Sequence, residues 1–129
     1  MSQKRVVITG MGAISPLGLG VERLWEGLIA GRSGIGHITH PDADDFLVKI
    51  AAEVTDFDPR EYMDVKIVSR TLRFSQIAIA ASKMAVEQAG LDISRERPRR
   101  VGVITSSTVD IGYIAKQGEV LRNKGPKRI

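Results

Sequence analysis

With 129 residues, 43% hydrophobic and 26% charged, the chain is long enough for one hydrophobic core, too short for two ordinary ones, and globular rather than disordered in composition. Zero cysteines exclude disulfides, thiolate catalysis and cysteine-ligated metals. A formal net charge of +4 points to an anionic partner, and no apolar run approaches the ~20 residues of a membrane span.

The first element is Val6-Val7-Ile8, a β-branched apolar run that predicts a strand buried on both faces, as in sheets covered by helices. Gly10 and Gly12 predict a sharp backbone turn after it. The segment approaches the Gly-x-Gly-x-x-Gly dinucleotide fingerprint and then departs from it. Ser15 stands at the third glycine, Pro16, Gly18 and Gly20 delay the next helix to about Val21, and Ile29 to Ser33 supplies no acid for a ribose. A buried strand ending in a tight turn is the preferred reading, and a nucleotide-binding Rossmann-like module is the alternative.

Val21, Leu24, Trp25, Leu28 and Ile29 then share one face of an amphipathic helix that Gly31 stops. Residues 32 to 47 read as a loop holding His37 and His40. With Asp42, Asp44 and Asp45 these could in principle ligate a metal, but a solvated loop is the expected role. Val48 to Val54 reads as a short strand.

Asp58, Pro59 and Glu61 make a helix start: a side-chain acceptor, a proline at the first position and an acid two further on. The short helical piece that follows carries Lys66 and Arg70. The longest helix is predicted from Thr71 to Ala89. Phe74, Ile77, Ala78, Ala81, Met84 and Ala85 lie on one face, and Leu72, Ile79 and Val86 add a second apolar line, so cover on more than one side is expected. Its alanines let neighbouring backbones approach closely while keeping helix propensity high.

Gly90 ends that helix, and Asp92 to Arg100 is a polar link. Val101-Gly102-Val103-Ile104 predicts a second buried strand, and Asp110 can cap a last helix with Ile111, Ile114, Ala115 and Leu121 on one face. The tail from Arg122 is basic. Ser15, Ser106 and Ser107 lie near the predicted strand ends; with no base in sequence but the two loop histidines, turn or capping roles are assigned to them.

The N-terminal strand and turn, the helix end Leu28-Ile29-Ala30-Gly31-Arg32-Ser33-Gly34-Ile35, the link Glu87-Gln88-Ala89-Gly90-Leu91 and the closing Gly125-Pro126-Lys127-Arg128-Ile129 occur in one fixed order. That order resembles the start of the β-ketoacyl-acyl carrier protein synthases, the type II condensing enzymes of fatty acid synthesis. The resemblance spans essentially the whole chain. It implies an α/β fold, the N-terminal half of a thiolase-like fold with a mixed sheet and packed helices, incomplete on its own. Residues 1–129 would be a partial synthase N-terminal domain that ends before the family's nucleophilic cysteine.

Enzymes of that family take an acyl group onto a cysteine as a thioester, and two histidines assist decarboxylation of malonyl carrier protein. The carbanion then attacks the thioester in a Claisen condensation. A thiolate serves as both nucleophile and leaving group. His37 and His40 match neither family histidine, so no catalytic residue, cofactor or metal is expected here.

The resemblance does imply a basic surface for acyl carrier protein, built in this chain from Lys66, Arg70, Lys127 and Arg128. Ser69 stands where the family is often basic, and Arg73 is a candidate neighbour that the family pattern does not support. Thr108 and Val109 match the bottom of the acyl pocket near the family's dimer interface. Two stretches, Thr105 to Gly112 and Ser69 to Phe74, depart from the family's glycine-rich and Arg-x-Met-Asp-x-Phe patterns, which permits a divergent synthase or a noncatalytic paralogue. Further expectations are a homo-oligomer, dependence on the missing C-terminal half, no nucleic-acid or membrane partner, and a cytoplasmic location. The remaining alternative is a noncatalytic basic adaptor for an acidic protein or nucleic acid.

Overall fold

In the computed structural model, which describes residues 4–39, 45–107 and 111–126, Val6, Val7 and Ile8 are not a buried strand. Residues 4–13 have no regular structure, and Val6 and Ile8 are 95% and 81% exposed. Val101 to Ile104 is corrected in the same way: it is irregular, with Ile104 100% exposed. Both runs have the composition of interior strands, but a strand's hydrogen bonds come from a neighbour. Among the described residues no segment pairs with either.

The chain divides into two units, residues 1–95 and 96–129. In the first, β1 (Ile14–Ser15) and β2 (Gly18–Leu19) form a minimal antiparallel hairpin, with Ile14 opposite Leu19. Ser15 closes it: its Oγ accepts from the Leu17 N–H at 3.2 Å and donates to the Gly18 carbonyl at 3.3 Å. The turn role expected of this serine is the one it has.

Helix α1 (Val21–Ile29) follows, as its apolar period predicts. It ends where Gly31, at φ 64°, lets the Arg32 N–H return to the Gly27 carbonyl and its own N–H to that of Leu28. Gly90, at φ 60°, ends the long helix by the same pair of bonds.

The loop expected over residues 32 to 47 contains a strand. β3 (Ile35–His37) pairs antiparallel with β4 (Ile50–Ala52), Ile35 opposite Ala52 and His37 opposite Ile50. Gly36 and His37 are weak strand formers, so the pattern is silent; β4, in the middle of the predicted Val48 to Val54 strand, supplies the ladder. His37 is exposed on this hairpin, while His40, Asp42 and Asp44 lie outside the described residues.

A single 3₁₀ turn (Pro59–Glu61) leads to α2 (Val65–Val68) and α3 (Arg73–Gln88). The core gathers around α3: Ala80 is fully buried, with Phe57 and Met63 beside the same unit's interior. The cover expected on more than one side of α3 is incomplete, since Phe74, Ala78 and Val86 are exposed. In the second unit a 3₁₀ turn (Pro98–Arg100) precedes α4 (Ile111–Lys124), on which Ile114, Ala115 and Leu121 are exposed. Asp110, its expected cap, lies outside the described residues.

Candidate functional site

Of the expected carrier-protein contacts, Lys66 and Arg70 fall on one corner, where α2 turns into α3. Four residues of α2 cannot hold a helix by propensity alone, and side chains fix the corner instead. Thr71 Oγ1 donates to the Ile67 carbonyl at 2.7 Å, and Ser69 Oγ donates to the Lys66 carbonyl at 3.0 Å. Beneath them the buried Gln76 donates from Nε2 to the carbonyls of Val68 and Thr71, both at 3.0 Å. These two carbonyls bracket Ser69 and Arg70. The backbone under Arg70 is therefore held from below while its side chain stays exposed.

Lys66 is exposed on the same corner, and among the described residues no carboxylate pairs with either cation. Two unneutralised charges on a fixed backbone present a cationic face to solvent. Gln76 is a residue that sequence reasoning missed. The signal was present, a lone glutamine one turn before Ala80 on the apolar stripe of a helix.

Arg73 is not a third member of that face. Its Nη1 and Nη2 donate to the carbonyls of Phe57 and Val54, each at 3.0 Å, and its guanidinium lies 4.6 Å from the centroid of the Phe57 ring. Phe57 in turn packs against Tyr62, their ring centroids 5.6 Å apart. The guanidinium of Arg73 is committed to these partners, clamping the Val54–Phe57 segment to the start of α3 although the residue is exposed.

Asp58 caps the 3₁₀ turn as expected, accepting from the Arg60 N–H at 2.9 Å. The Arg60 guanidinium grips the same carboxylate through Nε at 2.9 Å and Nη2 at 2.6 Å. These side-chain bonds, then the backbone bond, hold the Asp58 carboxyl down at about 2, and the carboxylate raises Arg60 in return.

A cleft of about 350 Å³ opens in the first unit, with Gly12, Gly20, Glu22, Met84 and Glu87 in its wall. Neither Lys66 nor Arg70 lines it. Two carboxylates make it a poor seat for a pyrophosphate. Gly10 and Gly12 abut helix carbonyls, those of Ala85 and Ala81, instead of a helix N-terminus. The sharp-turn role expected of these two glycines is corrected too: neither has positive φ, and both are needed for close approach. The nucleotide-binding alternative finds no cradle at this segment. Lys127, Arg128, Thr108 and Val109, the other expected site residues, lie outside the described residues.

Comparison with known proteins defines the class. Residues 3–129 match the β-ketoacyl synthase N-terminal domain, and the chain belongs to that family. Among curated relatives it is 42% identical over 130 residues to the 3-oxoacyl-(acyl-carrier-protein) synthase 2 of Coxiella burnetii, covering 100% of this chain and 31% of that protein. It is 38% identical to the synthase of that name from Synechocystis, covering 99% and 31%, and 42% identical to that of Staphylococcus aureus, covering 100% and 32%.

Among solved structures it resembles the ishigamide ketosynthase/chain length factor with a TM-score of 0.65 and 43% identity, over 72% of this chain and 23% of that one. The fold is the N-terminal part of a ketosynthase α/β fold. The chain spans about a third of the length of the curated relatives it matches.

Proposed function

We propose that this chain is the N-terminal part of a 3-oxoacyl-acyl carrier protein synthase of fatty acid or polyketide synthesis, with residues 1–129 forming a partial domain. It supplies scaffold, part of an acyl pocket at Thr108 and Val109, and part of a dock for acyl carrier protein at Lys66, Arg70, Lys127 and Arg128. The observation that carries the reading is the corner of Lys66 and Arg70: two exposed cations without acid partners among the described residues, on a backbone that Gln76 holds in place.

The chemistry of condensation needs a thiolate. A chain with no cysteine does not provide it, so the nucleophile belongs to the remainder of the synthase. The exposed runs Val6–Ile8 and Val101–Ile104 support this division, because their apolar side chains are suited to burial against further strands. The complete enzyme is a cytoplasmic homodimer in this reading. Among the described residues no helix is long and apolar enough to cross a membrane.

Titration of acyl carrier protein against the full chain tests the dock. Lys66→Glu combined with Arg70→Glu is expected to weaken binding roughly tenfold or more, because like charges then face an acidic partner. Unchanged affinity would overturn the assignment.

A further inference from the structure

The second unit opens with a cationic turn that neither the fold nor the proposed dock uses. Arg97, Arg99 and Arg100 fall within four residues and all are exposed. Among the described residues no carboxylate pairs with any of them. Their backbone is specified: Arg97 is extended at φ −75° and ψ 120°, Pro98 fixes the first position of the turn, and the Arg100 N–H donates to the Arg97 carbonyl at 2.8 Å. That bond closes a turn whose ends lie within about 7 Å of one another, so Arg97 and Arg100 stand near each other with Arg99 between them in the chain.

The chemistry of the group narrows its partner. Residues 91–107 contain no lysine and no aromatic ring. Guanidinium forks grip carboxylates through paired bonds, the mode that Arg60 and Asp58 display in this molecule. Without an aromatic platform there is nothing on which bases would stack. Glu96, next to Arg97 in the chain, places negative charge beside the cluster, which weakens the field a continuous phosphate backbone requires. Carboxylates three or four residues apart on an α-helix lie about 5–6 Å from one another, comparable to the spacing of the two ends of the turn.

We propose that the turn of Arg97, Arg99 and Arg100 is a docking site for a carboxylate-rich helical face of a partner protein, separate from Lys66 and Arg70. Its test uses the full 129-residue chain and three probes: a helical Ala/Glu peptide with Glu at every fourth position, a DNA duplex, and phosphatidylserine vesicles. The peptide is expected to shift the side-chain Nε–H resonances of Arg97, Arg99 and Arg100. Binding should weaken roughly tenfold in Arg97→Gln/Arg99→Gln/Arg100→Gln and about threefold in the corresponding triple lysine variant, which keeps the charge and loses the forks.

The lysine variant, carrying the same charge, separates a loss of contact from a loss of fold. Lys66→Gln with Arg70→Gln should leave the Arg97–Arg100 shifts in place. The proposal is overturned if the peptide fails to bind, if the triple glutamine variant binds it as well as the parent, or if DNA or vesicles shift these resonances more strongly than the peptide does.

Discussion

A Cβ placed on Gly12 would lie 2.0 Å from the carbonyl oxygen of Ala81, so the extended segment before the first hairpin rests directly on the backbone of α3. Gly10 stands in the same relation to Ala85, again at 2.0 Å. Two residues of extended chain advance about 6.8 Å and four residues of helix about 6.0 Å, so alternate residues of one meet every fourth residue of the other. Small residues are needed on both sides of such a contact, and glycine faces alanine at each.

Gly12→Ala should therefore destabilise the fold by roughly 3 kcal/mol, the upper end of ordinary overpacking, because the obstructing atom is backbone and cannot rotate away. Gly36→Ala is the control: a Cβ there meets nothing within 4 Å, and its φ is not positive. That substitution should be neutral or slightly stabilising through the unfolded chain. Urea midpoints of the two variants measure the difference, and equal midpoints would contradict the packing argument.

The corner that carries Lys66 and Arg70 depends on Gln76, which supplies both bonds that hold the Val68 and Thr71 carbonyls from beneath. Gln76→Leu keeps the volume and leaves two carbonyls without that donor, at a cost of about 1–3 kcal/mol. Affinity for acyl carrier protein should fall as well, although neither cation has been touched. Gln76→Glu fits the same space but cannot donate when ionised, so it should be at least as damaging as Gln76→Leu. A variant that lost stability with no change in carrier affinity would show that the corner's backbone does not position Arg70.

The helices and β4 were legible in the sequence and the other strands were not, for a physical reason. α1 and α3 carry their own hydrogen bonds, their apolar period and their glycine stops, so Val21, Gly31 and Gly90 mark real boundaries within the chain. Val6–Ile8 and Val101–Ile104 have strand composition, but a strand exists only with a neighbour, and the chain spans about a third of its relatives.

β3 was hidden for the opposite reason, since Gly36 and His37 are poor strand formers recruited by a partner strand, Gly36 opposite Ala51 and His37 opposite Ile50. At the site, the cations Lys66 and Arg70 could be read from sequence and the resemblance it carries. That Arg73 is committed to Phe57 and Val54, and that Gln76 holds the corner, required knowing which side chains meet.

Asp58 is held at about 2 when folded, against an ordinary value of 3.8, because Arg60 donates to it from side chain and backbone. A carboxyl whose folded value is depressed contributes stability that is fully present above its unfolded value and is lost as pH falls toward the folded one. The contribution of Asp58 should thus be complete near neutrality, shrink below about pH 4 and vanish near pH 2. Asp58→Asn isolates the charge, since asparagine is as good a cap. The stability gap between parent and Asp58→Asn should be widest at pH 6 and close as the solution is acidified. A gap that stayed constant across this range would mean that the carboxylate's charge contributes nothing, and that Arg60 is an adornment of the turn instead of a partner in it.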